Sequence, residues 1–227
     1  MATNRVRQLS TILTNAILPL ALLTTGMIGL GFLVTHVLVN FWPFTLEDQI
    51  VRAVVAARTP TMDRVSNMVS LIAYTVGLSA VLVIVGCAMR IAYHRWRESF
   101  FLGAALLAQL VVFKTTATIV ARARPAVPQL DVFPPMQSFP SGHTAAAVAL
   151  YGGIAVILQM HAKTRAQQVA WWALLLLVPV AVAVSRVYRG MHNPSDVAAS
   201  FIVGLGCLWI LKRAILTPAG SGRVNES

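Results

Sequence analysis

The stretch Ser185-Arg-Val-Tyr-Arg-Gly-Met-His192-Asn-Pro-Ser-Asp196 follows about twenty uncharged residues and precedes about fifteen more. Two arginines, a histidine and an aspartate therefore sit at the ends of apolar segments. In a membrane such residues are costly, and they mark sites. His192 and Asp196 are four apart, one helical turn, so they share a face if a helix begins near His192. Asn193-Pro194 reads as an N-cap followed by proline at the first helical position. Asp196 then falls at the third position, where it is equally a capping-box acid. Arg186 and Arg189, taken alone, read as interfacial anchors.

Composition supplies the setting. The 227 residues are 57% apolar and 11% charged, against roughly 25% charged in soluble domains. Such a chain cannot coat a water-facing surface, so it is an integral membrane protein. A net charge of +11 would suggest nucleic acid in a soluble protein. Here the basic residues lie mostly between apolar runs, which points to membrane topology and anionic head groups. Cys87 and Cys207 lie inside apolar runs and read as small buried hydrophobes, neither a disulfide nor a metal pair.

The pattern predicts an all-α bundle of six spans: about 12–40, 67–91, 99–120, 141–160, 168–184 and 197–211. Residues 42–66 carry charges with Ile50, Val51, Val54 and Val55 at helical spacing, so they predict one short interfacial helix between spans one and two. Residues 1–216 read as a single membrane domain and 217–227 as a disordered tail. Arg5, Arg7, Arg90, Arg95, Arg97, Lys163, Arg165, Lys212, Arg213 and Arg223 fall on one side. By the positive-inside rule that side, with both termini, is cytoplasmic. The other side holds Arg52, Arg58, Arg64, Arg122, Arg124, Arg186 and Arg189. That outward excess is explained if the face binds a multiply charged anion.

Three pieces meet on that outer side: Arg122-Ala-Arg124-Pro125, Pro140-Ser-Gly-His143, and the stretch quoted first. A helix starting at Ser141 or Gly142 would present free N–H groups to a phosphate, and Gly142 would allow close approach. Arg124 and Arg186 offer planar forks to phosphoryl oxygens. His192, with an acid one turn away to orient it, suits a nucleophile that attacks phosphorus. His143 then suits the general acid, and afterwards the base for water. A zinc site from His143, His192 and Asp196 is disfavoured, because the neighbouring arginines would repel a dication.

These pieces resemble the type 2 phosphatidic acid phosphatase family, which includes bacterial acid phosphatases and vanadium haloperoxidases. The motif P-S-G-H is matched by Pro140, Ser141, Gly142 and His143, and S-R-x5-H-x3-D by Ser185, Arg186, His192 and Asp196. The motif K-x6-R-P is matched only at Arg124-Pro125; Ala117 stands where its lysine is expected. The resemblance implies a six-span, cofactor-free and metal-independent phosphatase that is inhibited by vanadate. It implies phosphate contacts from Arg124, Ser141, Gly142 and Arg186, an acid in His143, and a nucleophile pair in His192 and Asp196. Lys114 and Arg122 compete for the missing lysine's place, or neither takes it. If the third span continued as a helix to Arg124, residue 117 would eclipse it and have phosphate-facing room.

A phosphatase of membrane lipid phosphates at the outer leaflet of a bacterial plasma membrane is the leading expectation. Undecaprenyl diphosphate, phosphatidylglycerol phosphate, phosphatidate and a lipid A phosphate all fit. The alternative is a lipid-phosphate transporter or flippase without chemistry, against which stand the complete His–Asp pair and the lack of a visible inverted repeat. Haloperoxidation at the same site is remote in a membrane setting.

Overall fold

A computed structural model describes residues 13–217. Arg5, Arg7, Arg223 and nearly all of the expected tail lie outside the described residues. Within them, six helices are long and apolar enough to cross a membrane. These are α1 (Thr14–Asn40), α4 (Thr75–Tyr93), α5 (Arg97–Val120), α6 (Gly142–Met160), α7 (Arg165–Tyr188) and α8 (Pro194–Leu216). Two short helices, α2 (Glu47–Ala56) and α3 (Pro60–Leu71), join α1 to α4. No strand occurs among the described residues, so the expected all-α six-span bundle is the observed fold.

One boundary differs. The single interfacial helix expected over 42–66 is two helices, and the second span starts eight residues later than predicted, at Thr75. The break has local causes. Thr59 is an N-cap whose hydroxyl accepts from the Met62 N–H at 3.3 Å, and Pro60 takes the first helical position. The outer face of α3, with Met62, Val65 and Met68, stays exposed. Its other face packs on α7, where the Ser185 hydroxyl meets Ser66 O at 2.8 Å and Ser70 Oγ at 2.7 Å.

Helix α6 is the central element: 67% of its most apolar stretch is buried, against 17% for α1 and α4. Its sequence explains this. Ala145, Ala146, Ala147, Ala149, Gly152 and Gly153 give it a slim profile, and small residues let helices approach closely without a hydrophobic drive between them. It packs against α5, α7 and α8. The tightest approach is at Gly204 of α8, where a Cβ would lie 2.5 Å from the Val148 side chain and 3.1 Å from Ala145 O.

That approach is testable. Gly204→Ala should lower the thermal midpoint in detergent, with a cost of about 1–3 kcal/mol for overpacking. Gly103→Ala on α5 meets nothing within 4 Å and should hold or raise the midpoint through helix propensity. Equal midpoints for the two variants would refute the packing account.

Candidate active site

The site forms where the N-termini of α6 and α8 meet the C-terminal ends of α5 and α7. Ser141 caps α6, its hydroxyl accepting from the Thr144 N–H at 3.4 Å and the Thr144 hydroxyl at 3.1 Å. Its own N–H donates to Ser200 Oγ at 2.7 Å, and the Ser200 hydroxyl donates to Asp196 O at 2.7 Å. The two helix starts are thereby stitched together. Gly190, at φ 71°, turns the chain from α7 toward His192. Asn193 then donates its N–H to Asp196 Oδ2 at 2.8 Å, so the helix-start reading of Asp196 holds.

Asp196 has no exposed surface. Besides Asn193, its carboxylate accepts from Arg122 Nη1 at 2.6 Å and from the Ser138 hydroxyl at 2.6 Å. It does not hydrogen-bond His192: Oδ2 is 3.9 Å from Nδ1. The expected direct orientation of His192 by Asp196 is therefore corrected to an indirect one. His192 Nδ1 donates to Ser138 O at 2.7 Å, and Asp196 holds Ser138 through its hydroxyl. A carbonyl can only accept, so Nδ1 carries the hydrogen in the neutral ring and Nε2 carries the lone pair. Burial, reinforced by the charges of Arg186 and Arg124, pushes the imidazole well below its usual pKa near 6.5. His192 is consequently neutral at pH 7 and loses its lone pair only as pH falls far below 6.5.

Nε2 lies 3.5 Å from Arg124 Nη1, at the edge of a cavity of about 310 Å³. His143, Gly142, Arg124, Arg186 and Lys114 line the same cavity. Arg124 is fixed by three carbonyls, those of Met191, Pro134 and Gln137, at 2.7, 2.9 and 3.2 Å. Arg186 is fully buried, donates to Asp131 Oδ2 at 2.8 Å, and keeps an Nε without a partner among the described residues. Arg189 takes both oxygens of the same carboxylate, at 2.9 and 2.6 Å. Burial alone would raise the pKa of Asp131; the hydrogen bonds from Arg189 and the charge of Arg186 outweigh it and hold the carboxyl at about 2. The Phe133 ring lies 5.7 Å from the guanidinium carbons of both Arg124 and Arg186. It and Tyr74 meet the His143 ring edge-on at 5.4 and 4.8 Å.

Several sequence-level expectations change at this point. Arg122, a candidate phosphate contact, does not border the cavity: it is buried between Asp196 and Glu47 Oε2, the latter 3.0 Å from Nη2. Ser141 is also off the cavity, fully buried as a cap. Gly142 does border it, but its missing side chain makes room for the Phe113 ring, which a Cβ would meet at 2.7 Å. Ala117 is fully buried away from the cavity, so it has no phosphate-facing room. The reason is that α5 stops at Val120 and Ala121 takes a left-handed φ of 48°, which ends the register linking 117 to Arg124. Lys114 is the cation of α5 that reaches the cavity, at its exposed rim. The outward arginines also divide. Arg124 and Arg186 face the cavity, whereas Arg58 ties Tyr188 O and Pro128 O at 2.8 and 2.7 Å, and Arg122 and Arg189 bind carboxylates. Glu47, Ser138, Phe133, Tyr74 and Asp131 were not singled out from the sequence. The only signal for Asp131 was its being the sole acid in the loop 121–140.

If Arg122 contacted substrate, its loss would raise KM. The structure expects instead that Arg122→Ala leaves two buried carboxylates without their cation, a cost of about 3–5 kcal/mol in stability. The thermal midpoint in detergent should fall steeply, and the folded fraction should keep its apparent KM. A normal midpoint with a raised KM would return Arg122 to the phosphate site.

The model of the PAP2 superfamily matches residues 98–218, which takes in every motif residue named above and excludes Glu47 and Tyr74. Phosphatidylglycerophosphatase B of Bacillus subtilis is 28% identical over 174 residues, covering 73% of this chain and 81% of that protein. The crystal structure of a transmembrane PAP2 type phosphatidylglycerolphosphate phosphatase from Bacillus subtilis superposes with a TM-score of 0.73 at 23% identity, over 84% of this chain and 94% of that one. Aquifex aeolicus LpxE superposes with a TM-score of 0.57 at 24% identity, over 75% and 97%. The family's model spans more than half of the chain and contains both histidine motifs, and the fold superposes on those solved structures, so this chain belongs to the PAP2 superfamily.

Proposed function

We propose that the protein is a metal-independent phosphatase of membrane lipid phosphates that works through a phosphohistidine on His192. The observation that carries this is the tautomer: the Ser138 carbonyl takes the Nδ1 hydrogen, which leaves a neutral Nε2 lone pair beside a cavity walled by His143, Arg124 and Arg186. In the first step Nε2 attacks phosphorus and the phosphorus–oxygen bond to the lipid breaks. Arg124, Arg186 and Lys114 carry the phosphoryl charge, so positive charge fixed by the protein stabilises the transition state. His143 gives its proton to the leaving oxygen. In the second step water attacks phosphorus, His143 takes the water's proton, the phosphorus–nitrogen bond breaks and phosphate leaves.

A lipid substrate fits the shape of the cavity. Its walls include Leu78 of α4 and Leu106, Leu110 and Phe113 of α5, and Leu110 is exposed on the outside of the bundle. A lipid can therefore enter sideways between these two spans. Arg90, Arg95, Arg97, Lys163, Arg165, Lys212 and Arg213 lie at the end of the bundle opposite the cavity. The positive-inside rule puts that end in the cytoplasm and the site on the outer face. Phosphatidylglycerol phosphate, named in the relatives, phosphatidate and undecaprenyl diphosphate all belong to the class.

Purified protein should release phosphate from such lipids. His192→Ala should abolish release and the trapped phosphoenzyme with it. His143→Ala should retain a trace, with turnover roughly a hundred- to ten-thousand-fold lower, the usual worth of an acid–base group. Equal residual activity in the two variants would sink the role assignment, and lipid binding without release would favour a transporter. Activity should also survive EDTA and be lost to vanadate; loss in chelator restored by a divalent ion would refute the metal-independent reaction.

A further inference from the structure

Of the polar side chains on the cavity wall that the proposed reaction does not use, Tyr74, Thr75, Ser79 and Gln137 among them, Gln109 is the one with a buried nitrogen unpaired among the described residues. Gln109 lies in the middle of α5, in the stretch Leu106-Leu-Ala-Gln109-Leu110-Val-Val-Phe113, and is 2% exposed. It lines the cavity together with Leu106, Leu110 and Phe113, and its Nε2 has no hydrogen-bond partner among the described residues. A buried donor without an acceptor inside a membrane span is costly, so its retention points to an acceptor supplied by something else. The helix fixes its depth. Gln109 is five residues before Lys114, which places it ~7.5 Å further into the membrane than the cationic rim.

The acceptor is then a group attached to the phosphate a few bonds down. Among lipid phosphates the two broad classes differ at that point. In a diacylglycerol phosphate the ester carbonyls hang a few bonds below phosphorus, and each is an acceptor. In a polyprenyl phosphate the same depth is hydrocarbon, which would leave the Gln109 amide unpaired beside Leu106 and Leu110. A site that holds a polar group ready for a partner discriminates against an analogue lacking it, because the buried group then stays unsatisfied. Resting on the phosphatase reading, we propose that Gln109 is a specificity-determining residue that donates to an acyl ester carbonyl, and that the substrate class is the diacylglycerol phosphates, in which that carbonyl lies a few bonds from the phosphorus attacked.

The test uses the full-length protein in mixed micelles with three substrates: dioleoyl phosphatidate, the matching dialkyl-ether phosphatidate, and a polyprenyl monophosphate. The wild type should favour the ester lipid over the ether by about tenfold in kcat/KM, the scale of one hydrogen bond, and over the polyprenyl phosphate by at least as much. Gln109→Leu should collapse the ester-to-ether ratio toward one. Equal rates on ester and ether lipids in the wild type would overturn the inference without any variant. So would a preference for the polyprenyl phosphate, or a Gln109→Leu enzyme that keeps the ester preference. Should Gln109→Leu not fold, Gln109→Met replaces it, and the wild-type comparison decides in any case. In those outcomes phosphate is still released and the phosphatase reading stands. No release from any of the three substrates overturns both.

Discussion

A carboxylate with no exposed surface is tolerated only when it is paired and its lone pairs are used. Asp196 meets that condition with Arg122, the Ser138 hydroxyl and the Asn193 N–H. Arg122 in turn is shared with Glu47, whose other oxygen accepts from the Ser195 N–H at 2.6 Å. These partners come from α2, from both ends of the loop 121–140, and from the first turn of α8. Satisfying one buried charge thus fixes four segments that are remote in sequence. Ser138 is the member that reaches the proposed nucleophile. Its hydroxyl answers Asp196 and its carbonyl sets the tautomer of His192. In the proposed reaction Asp196 is then a positioning residue, acting through Ser138 and not by a hydrogen bond to the imidazole.

This node also shows what a sequence can and cannot display. The spans were legible because apolar length and helical caps are local properties; Ser141 and Asn193-Pro194 announce their helices, whereas the Thr59-Pro60 start lies inside the stretch read as one helix. The two histidines and the cavity arginines were legible because their residue types are rare at the ends of apolar runs. The partner of His192 was not, since it is a backbone carbonyl, and every residue has one. Glu47 was hidden by distance, lying 148 positions from Ser195. The error at residue 117 came from extending a helix through a stretch without an obvious stop. Alanine at a left-handed φ ends α5, and alanine carries no signal for that conformation.

The arginines illustrate how the environment assigns tasks to identical side chains. In a medium of low dielectric each guanidinium needs carboxylates or carbonyls, and its donors are finite. Arg58, Arg122 and Arg189 spend theirs on loop carbonyls, Glu47, Asp196 and Asp131. Arg186 divides its donors: Nη1 goes to Asp131 and Ser70, while Nε has no partner among the described residues. The outward excess of positive charge is therefore mostly architecture, and only its inner edge is left to meet an anion.

Phe133 bears on how that edge is held. Its ring is shared by Arg124 and Arg186 and borders His143. Cation–π contacts are worth about 0.5–2 kcal/mol, enough to keep two like charges and an imidazole ordered against one another. Charge-assisted bonds from the same guanidinium groups to a phosphoryl oxygen are stronger and directional. An aromatic ring is thus a partner that an incoming phosphate can displace, whereas a second carboxylate in its place would compete with the phosphate on equal terms. The loop supplies both kinds of partner: Asp131 bridges Arg189 and one nitrogen of Arg186, while Phe133 lies against Arg124, Arg186 and His143 at the cavity wall.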